Sequence, residues 1–392
     1  MAAHSHRKTP GPLQSLVADR IFDGERILTG CSVLIHGERI VDVVSRGAIP
    51  ADSAIVDLGA GSVLAPGFID VQVNGGGGAL LNDEPTLAGI NTIVAAHRRF
   101  GTTGLLPTLI TDRREVTERL AGIAESALEI PGVLGFHLEG PFINPTRKGV
   151  HPGERIRSPA KEDTALLRWF GCFGHSIATL APECVPRGFV ADLTRCGLRI
   201  CAGHTDADEP MMRRACDEGL RGVTHLFNAM SQMQARAPGV VGAALDEPRL
   251  IAGLICDGYH VDPAMLRIAF RAAGRDRLML VTDAMPTVGA DRSHFDLFGR
   301  AITLERTRLT AEDGTLAGAH LDMMGAVRGA MSLMRVSLED ALVMASRTPA
   351  RFLGLDGILG AIRKDYRADL VAFDAGFIVT DTWVAGVRAR HG

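Results

Sequence analysis

Short apolar segments that alternate with helix-like stretches constrain the fold more than any other feature of this sequence. Eight such segments lie between residues 65 and 355, and polar or glycine-rich residues follow each of them. They read GFIDVQV, TTGLLPT, VLGFHLE, SIATLAP, LRICAGH, GVTHLF, LIAGLIC and RLMLVTD. Strands that alternate with amphipathic helices predict a parallel sheet covered by helices. Eight such units predict an α/β protein built on a closed (β/α)8 TIM-like barrel.

An open, doubly wound parallel sheet is the alternative fold for such a pattern. That fold is expected to carry a phosphate-binding Gly-x-Gly-x-x-Gly loop between its first strand and first helix. The run GGGG at residues 75–78 follows a strand but lacks this spacing, and we interpret it as a flexible loop. The closed barrel is therefore the better prediction.

The two ends of the chain have a β-rich pattern that predicts a second, smaller domain. The segment SVLIHGERIVDVV alternates apolar and polar residues around a hairpin-like reversal at Gly37 and Glu38. The C-terminal segment ADLVAFDAGFIVTDTWVAGVRA contains three more strand candidates. The predicted division is a disordered tail at 1–12, a β-sandwich domain made from 13–64 and 356–392, and the (β/α)8 barrel at 65–355.

The composition excludes several classes of protein. Of the 392 residues, 46% are hydrophobic and 22% are charged, which is typical of a globular protein. The formal net charge of -3 and the aromatic content of 5% argue against a nucleic-acid partner. A membrane helix needs roughly 18 uninterrupted apolar residues, and no such run occurs.

Cysteine usage and the N-terminal residues predict a cytoplasmic protein. The seven cysteines are an odd number without a CxxC pair, which is typical of reduced thiols rather than of a disulfide framework. The N-terminal sequence MAAHSHRKTPGP has no apolar stretch behind its basic residues and is not expected to be a secretory signal.

Polar side chains follow six of the eight strand candidates, and in a barrel these strand ends line the active site. Glu139, His204 and His225 follow the third, fifth and sixth candidates and supply one carboxylate and two imidazoles. This is a common ligand set for a catalytic divalent ion. Asp283 follows the eighth candidate, where it is placed to act as general base toward a water that such an ion activates. One buried polar residue after a strand is usually structural, but this series predicts an active site.

Six motifs in one order carry a resemblance to a known family. They are APGFIDVQVNG, HLEGPFINPTRKGVHPG, AGHTDA, THLFNAM, DGYHVDP and LVTDAM. From about Ile21 to the C terminus the chain resembles the N-acetylglucosamine-6-phosphate deacetylases of the amidohydrolase superfamily. The resemblance implies a barrel with a β-sandwich made from both chain ends, and a homodimer. It also implies hydrolysis of the N-acetyl group of N-acetyl-D-glucosamine 6-phosphate in amino-sugar catabolism, which yields D-glucosamine 6-phosphate and acetate.

The resemblance also implies roles for individual residues. Glu139, His204 and His225 fall on the family's metal positions, and Asp283 falls on its acid/base position. The positions associated with the substrate are Val150, His151, Asn228, Ala229, Arg236, His260, Leu316, Ala317 and Gly318. The guanidinium of Arg236 suits a phosphate group. Either His151 or His260 is expected to polarise the carbonyl, and His260 is an alternative phosphate ligand across a dimer interface.

The first strand and one loop depart from related patterns. Many amidohydrolases carry a His-x-His pair on the first strand, where this chain has Gln72 and Asn74. Neutral amides are poor ligands for transition metals, so we predict one ion per chain, with zinc expected and iron or another divalent ion as alternatives. Ala319 and His320 occupy positions where small hydroxyl residues are common in the family, and His320 is either part of lid packing or a determinant of sugar preference.

Three other functions remain as alternatives. The first is a deacetylase for a different amino-sugar phosphate, such as the galactosamine epimer. The second is a deaminase or cyclic-amide hydrolase, which the missing His pair and the lack of a bridging carboxylated lysine disfavour. The third is a non-catalytic barrel that serves as a binding scaffold, which the intact metal and acid/base positions disfavour.

Overall fold

The N-terminal part of the chain forms short strands rich in β-branched residues. The structure, a computed structural model, describes residues 12–391, so the predicted tail lies outside the described residues except for its last position. The first strands are β1 (Gln14–Val17), β2 (Arg20–Phe22), β3 (Ile27–Thr29), β4 (Cys31–His36), β5 (Arg39–Ser45), β6 (Ala54–Asp57) and β7 (Val63–Pro66). The predicted hairpin is confirmed, because β4 and β5 pair antiparallel on either side of Gly37 and Glu38.

All eight apolar segments predicted as barrel strands contain strands of one parallel sheet. The first barrel strand is β8 (Phe68–Val73), and a small separate hairpin of β9 (Gly75–Gly76) and β10 (Ala79–Leu80) follows it. The other seven barrel strands are β11 (Thr102–Ile110), β12 (His137–Glu139), β13 (Ile177–Leu180), β14 (Arg199–Ala202), β15 (Gly222–Val223), β16 (Ile251–Leu254) and β17 (Leu278–Leu280). Each barrel strand pairs with its neighbours in chain order. A parallel bridge between Val73 and Ala284 joins the first strand to the last, which nearly closes the barrel as predicted.

One helix crosses between each successive pair of barrel strands. These helices are α1 (Leu87–Arg98), α2 (Arg114–Ala127), α3 (Lys161–Gly171), α4 (Phe189–Arg195), α5 (Glu209–Asp217), α6 (Gly239–Asp246) and α7 (Pro263–Ala273). Side chains cap several N termini: Thr86 accepts from the Gly89 N–H and Asp208 from the Met211 N–H. No helix among residues 12–391 is both long enough and apolar enough to cross a membrane.

A three-stranded antiparallel sheet follows the last barrel strand, and it was not predicted. It consists of β18 (His294–Leu297), β19 (Arg300–Glu305) and β20 (Arg308–Ala311). Phe295, Ile302 and Leu309 of this sheet belong to one buried cluster with Ile110 and Met285 of the barrel. Since the chain continues into residues 315–318, the sheet places that loop at the mouth of the barrel. The remaining elements are α8 (Met323–Gly329), a π-helical turn (Ala330–Met334), α9 (Leu338–Ala345), α10 (Arg347–Phe352), β21 (Leu370–Phe373), β22 (Val379–Val384) and β23 (Val387–Arg390).

Strands from both chain ends share one sheet. The six-stranded sheet has the order β23-β22-β21-β7-β2-β3, and β1, β4, β5 and β6 form a separate four-stranded sheet. Leu16 and Val33 of the smaller sheet pack in one buried cluster with Ile21, Leu370 and Trp383 of the larger. A separate β domain beside the barrel is therefore present, as predicted. The boundaries at residues 64 and 355 stay predictions.

Candidate active site

Glu139, His204 and His225 meet at the C-terminal end of the barrel. Glu139 is the last residue of β12, and His204 and His225 each come two residues after the end of β14 and β15. All three are at most 6% exposed. The Nε2 atoms of His204 and His225 lie 3.2 and 3.0 Å from Oε1 of Glu139, and 3.1 Å from each other. Three potential ligand atoms thus form a nearly equilateral triangle.

The spacing and chemistry of this triangle fit a divalent metal ion. Ligand bonds of about 2.05 Å at tetrahedral angles place ligand atoms roughly 3.3 Å apart, close to the observed separations. The carbonyl oxygen of Arg147 lies 2.8 Å from Nδ1 of His204 and can only accept, so Nδ1 carries the hydrogen and Nε2 keeps its lone pair. Burial alone would raise the pKa of Glu139, but His204 and His225 hold it well below its usual range. The carboxylate is therefore ready to bind a cation.

Backbone conformation contributes to the convergence of these side chains. His204, His225 and Asp283 have φ values of 49°, 32° and 50°, and Ala229 has 50°. The left-handed region is uncommon for residues other than glycine, and such positions cluster at functional sites. Each chain segment thus turns sharply within a few residues of the end of its strand, at the barrel mouth.

Asp283 lies beside the triangle and is held by two amides. Nε2 of Gln72 and Nδ2 of Asn74 donate to its Oδ1 at 3.1 and 2.7 Å. Nε2 of Gln72 also lies 3.3 Å from both carboxylate oxygens of Glu139, so it spans the two acids. Burial and the negative charge of Glu139 raise the pKa of Asp283. A carboxylate in these surroundings is suited to accept a proton and return it.

A cavity of about 230 Å³ extends from these groups and contains most of the predicted substrate residues. Its walls include the three triangle residues and Asp283, together with Asn74, Val150, His151, Asn228, Ala229, His260, Leu316 and Gly318. The ring of His151 packs against that of His204 with centroids 4.3 Å apart. A ring nitrogen of His151, a ring nitrogen of His204 and a carboxylate oxygen of Glu139 all lie within 4.8 Å of one another.

The two candidate imidazoles have different partners. Nδ1 of His151 lies 2.7 Å from Oγ1 of Thr111, and burial holds the pKa of His151 well below its usual range. Nδ1 of His260 donates to Oδ2 of Asp257 at 2.6 Å. Burial opposes the charge of Asp257, but the bond from His260 lowers its pKa and keeps it ionised. His151 is thus a neutral group beside the triangle, whereas His260 is paired with an acid.

Three residues singled out in the sequence lie elsewhere. Arg236 is exposed on the tight turn between Gln234 and Ala237 and does not line the cavity of its own chain. Ala317 is fully buried in the cluster beneath the three-stranded sheet, between Leu316 and Gly318, which do line the cavity. His320 lines a separate cavity, where its Nδ1 lies 2.9 Å from Oγ1 of Thr287.

Sequence reasoning named Gln72 and Asn74 but not their contact with Asp283, and it missed Asp70 altogether. Asp70 is fully buried and accepts a hydrogen bond from Oγ1 of Thr282 at 2.5 Å. The signal was present, because Asp70, Gln72 and Asn74 alternate along β8 and so lie on one face of that strand. No sequence pattern indicated that Thr111 would contact His151.

A (β/α)8 barrel with a carboxylate and two imidazoles at its C-terminal strand ends, beside an aspartate, is typical of metal-dependent hydrolases. The chain belongs to the amidohydrolase family, whose model matches residues 63–389. The family and the cluster indicate a divalent metal ion, and the protein is a hydrolase of amide C–N bonds.

Comparison with known proteins confirms the resemblance seen in the sequence. The chain is 40% identical to N-acetylgalactosamine-6-phosphate deacetylase of Shewanella sp. (strain ANA-3), with 93% of this chain and 95% of that protein covered. The structure resembles N-acetylglucosamine-6-phosphate deacetylase from Pasteurella multocida, with a TM-score of 0.93, 31% identity and coverage of 96% and 100%. It also resembles a mutant of the Mycobacterium smegmatis enzyme in complex with N-acetyl-D-glucosamine-6-phosphate, with a TM-score of 0.89, 31% identity and coverage of 96% and 99%.

Proposed function

We propose that the protein removes the N-acetyl group from an N-acetylhexosamine 6-phosphate and releases acetate and the free amine. N-acetyl-D-glucosamine 6-phosphate is the substrate predicted from the sequence. The observation that carries the proposal is the position of Asp283 beside the triangle of Glu139, His204 and His225. All four residues line one cavity, whose other polar lining residues include His151, Asn228 and His260. The names of the similar deacetylases support the same substrate class.

The polar residues that line the cavity have different roles in the proposed amide hydrolysis. Glu139, His204 and His225 would hold one divalent ion, which, when bound, polarises the amide carbonyl and lowers the pKa of a water. Asp283 takes a proton from the attacking water as the new C–O bond forms, and returns it to the nitrogen as the C–N bond breaks. His151 is the neutral imidazole beside the triangle, so we assign to it the second hydrogen bond to the developing oxyanion.

We further propose one zinc ion per chain, with iron or another divalent ion as alternatives. The amide ends of Gln72 and Asn74 both donate to Asp283 through nitrogen, so neither presents a strong ligand for a second ion. We also propose a cytoplasmic location, because all seven cysteines are free thiols.

We also propose a homodimer, because of where the arginine expected to bind the phosphate lies. Arg236 is exposed outside the cavity of its own chain, three residues after Met233, which is 50% exposed. An arginine on such a turn reaches a 6-phosphate most simply in the cavity of a second copy, near His260. Arg236→Ala is then expected to raise KM for the phosphorylated sugar much more than for the unphosphorylated sugar, and equal effects on both would contradict the role.

The galactosamine epimer is the second candidate substrate. The observation that favours it is the 40% identity to N-acetylgalactosamine-6-phosphate deacetylase over nearly the whole of both chains. The two sugars differ only in the configuration of one hydroxyl group, so they share the acetamide, the phosphate and the mechanism above.

Acetate release from a panel of sugars tests the proposal. The panel contains the N-acetyl derivatives of glucosamine and galactosamine, each with and without the 6-phosphate. The metal-loaded protein is expected to release acetate from at least one phosphorylated sugar, and faster than from its unphosphorylated counterpart. Asp283→Asn with full metal content is the matched control and is expected to be nearly inactive. A metal-loaded protein that releases no acetate from any of the four sugars would favour the binding scaffold instead.

A further inference from the structure

The side chain of Asn74 has one polar atom that the contacts of the fold leave unused. The residue is 2% exposed and lines the cavity. Its backbone N–H donates to the oxygen of Ala284 at 3.0 Å, and its backbone oxygen accepts from the N–H of Leu81 at 2.9 Å. Its Nδ2 donates to Oδ1 of Asp283 at 2.7 Å. Within residues 12–391 its Oδ1 has no hydrogen-bond partner, although it is buried.

The contact with Asp283 determines which way this amide faces. An ionised carboxylate only accepts hydrogen bonds, so the NH2 end of Asn74 must face Asp283 and the oxygen end must face away from it. The rotated amide would place two acceptor oxygens 2.7 Å apart. A buried acceptor without a partner costs about 1–3 kcal/mol, so a donor from outside the chain is expected at this atom.

The geometry points to the substrate as that donor: we propose that Oδ1 of Asn74 accepts a hydrogen bond from the acetamido N–H. This inference rests on the proposed function, because that N–H is the only amide donor of an N-acetylhexosamine 6-phosphate. The two ends of a primary amide are about 2.2 Å apart, given its bond lengths. The oxygen of Asn74 therefore lies within about 5 Å of the carboxylate that must protonate the same nitrogen.

The hydrogen bond orients the nitrogen for proton transfer. When the attacking water has formed the C–O bond, the amide nitrogen becomes pyramidal and its lone pair must point toward Asp283. An N–H held by Asn74 fixes one substituent of that nitrogen and so fixes the direction of the lone pair. Asp283 then delivers the proton that it took from water, and the C–N bond breaks. Asn74 exchanges no proton in this sequence and keeps its contact with the departing amine.

Gln72 supplies the comparison for this role. It also donates to Asp283, but its amide spans Glu139 and Asp283, and it does not line the cavity. A change at Gln72 therefore disturbs the orientation of Asp283 without removing a contact to the substrate. Substitutions at Asn74 and at Gln72 therefore distinguish loss of a substrate contact from loss of support for Asp283.

Ligand binding in a background without turnover tests the proposal. The parent is metal-loaded Asp283→Asn protein, titrated by calorimetry with the N-acetylhexosamine 6-phosphate that the wild type hydrolyses faster. The hexose 6-phosphate without the acetamido group is the second ligand. Asn74→Ala in this background is expected to weaken binding of the first ligand about 3- to 10-fold and to leave the second unchanged. Gln72→Ala in the same background is expected to change the two affinities by the same factor, because it removes no contact to the acetamido group.

A conservative variant protects the test against a folding defect. Asn74→Asp in the same background exchanges donor and acceptor with the amide at position 283 and keeps an acceptor oxygen at position 74. It is therefore expected to retain most of the affinity that Asn74→Ala loses. An unchanged affinity in Asn74→Ala, or an equal loss for both ligands, would overturn the role of Asn74. If the parent itself binds both ligands equally well, the proposed function fails, and the role of Asn74 fails with it.

Discussion

Asp70 joins the first and last strands of the barrel, and its ionisation gives a quantitative prediction. The side chain is fully buried, and its oxygens accept from the N–H of Gln72 at 3.2 Å and from the N–H and Oγ1 of Thr282 at 3.3 and 2.5 Å. It thus spans the seam where the backbone bridge between Val73 and Ala284 closes the sheet. Replacement by asparagine keeps the shape of the side chain and removes its ionisation.

Burial raises the pKa of Asp70 from 3.8 to about 7, although the hydrogen bonds from Thr282 and Gln72 lower it. The folded state therefore binds a proton that the unfolded state has already released above about pH 4. Stability from this group is fully present below pH 3.8 and is lost as the pH rises to about 7. Since one pKa unit corresponds to 1.36 kcal/mol, the full difference is roughly 4 kcal/mol.

The assay is urea denaturation of the wild type and Asp70→Asn between pH 4.5 and 8, with both proteins metal-loaded. The free energy of unfolding of the wild type, minus that of the variant, is expected to fall by about 3 kcal/mol across this range and to be constant above it. Asp52→Asn, at an exposed position, is the matched control. A difference that does not depend on pH, or that rises with pH, would refute the reasoning.

Three further predictions concern the site and a buried ion cluster. Glu139→Gln removes the only carboxylate of the metal triangle, so its metal content is expected to fall below about a tenth of an ion per chain by elemental analysis, and near-normal content would contradict the ligand assignment. Asp283→Asn is expected to lower kcat about 10²- to 10⁴-fold at unchanged metal content, measured as acetate release, and near-normal turnover would exclude it as the acid/base. Burial opposes the charge of Asp163, but Arg114 and Arg157 lower its pKa to about 2. Asp163→Asn is therefore expected to lose about 2 kcal/mol of unfolding free energy at pH 7 and less as the pH falls from 4 to 2, whereas an equal loss at both pH values would contradict the pairing.

The barrel could be predicted from the sequence because each of its strands is a buried apolar run with its own turn signal. The strand-end rule then identified the triangle, since the C-terminal ends of parallel strands meet at one edge. The three-stranded sheet over the barrel mouth was missed, because its short alternating strands follow the last barrel strand without a signal that separates them from a loop.

Other features of the site depend on tertiary structure that no local pattern encodes. The left-handed backbone at His204 and His225 is held by the surrounding fold, because this region is uncommon for any residue other than glycine. The role of Asn74 was also hidden, because it arises only when the first and last strands close against each other. For Arg236 the sequence indicated a suitable chemistry for phosphate but not the position of the residue. Its place on an exposed turn is seen only in the structure.

Anomalous diffraction from crystals grown with zinc tests the central claim most directly. One ion per chain is predicted at about 2.0–2.2 Å from Oε1 of Glu139 and from Nε2 of His204 and His225, with no second ion between Gln72 and Asn74. A second peak of comparable height at those amides, or a single peak away from the triangle, would contradict the account.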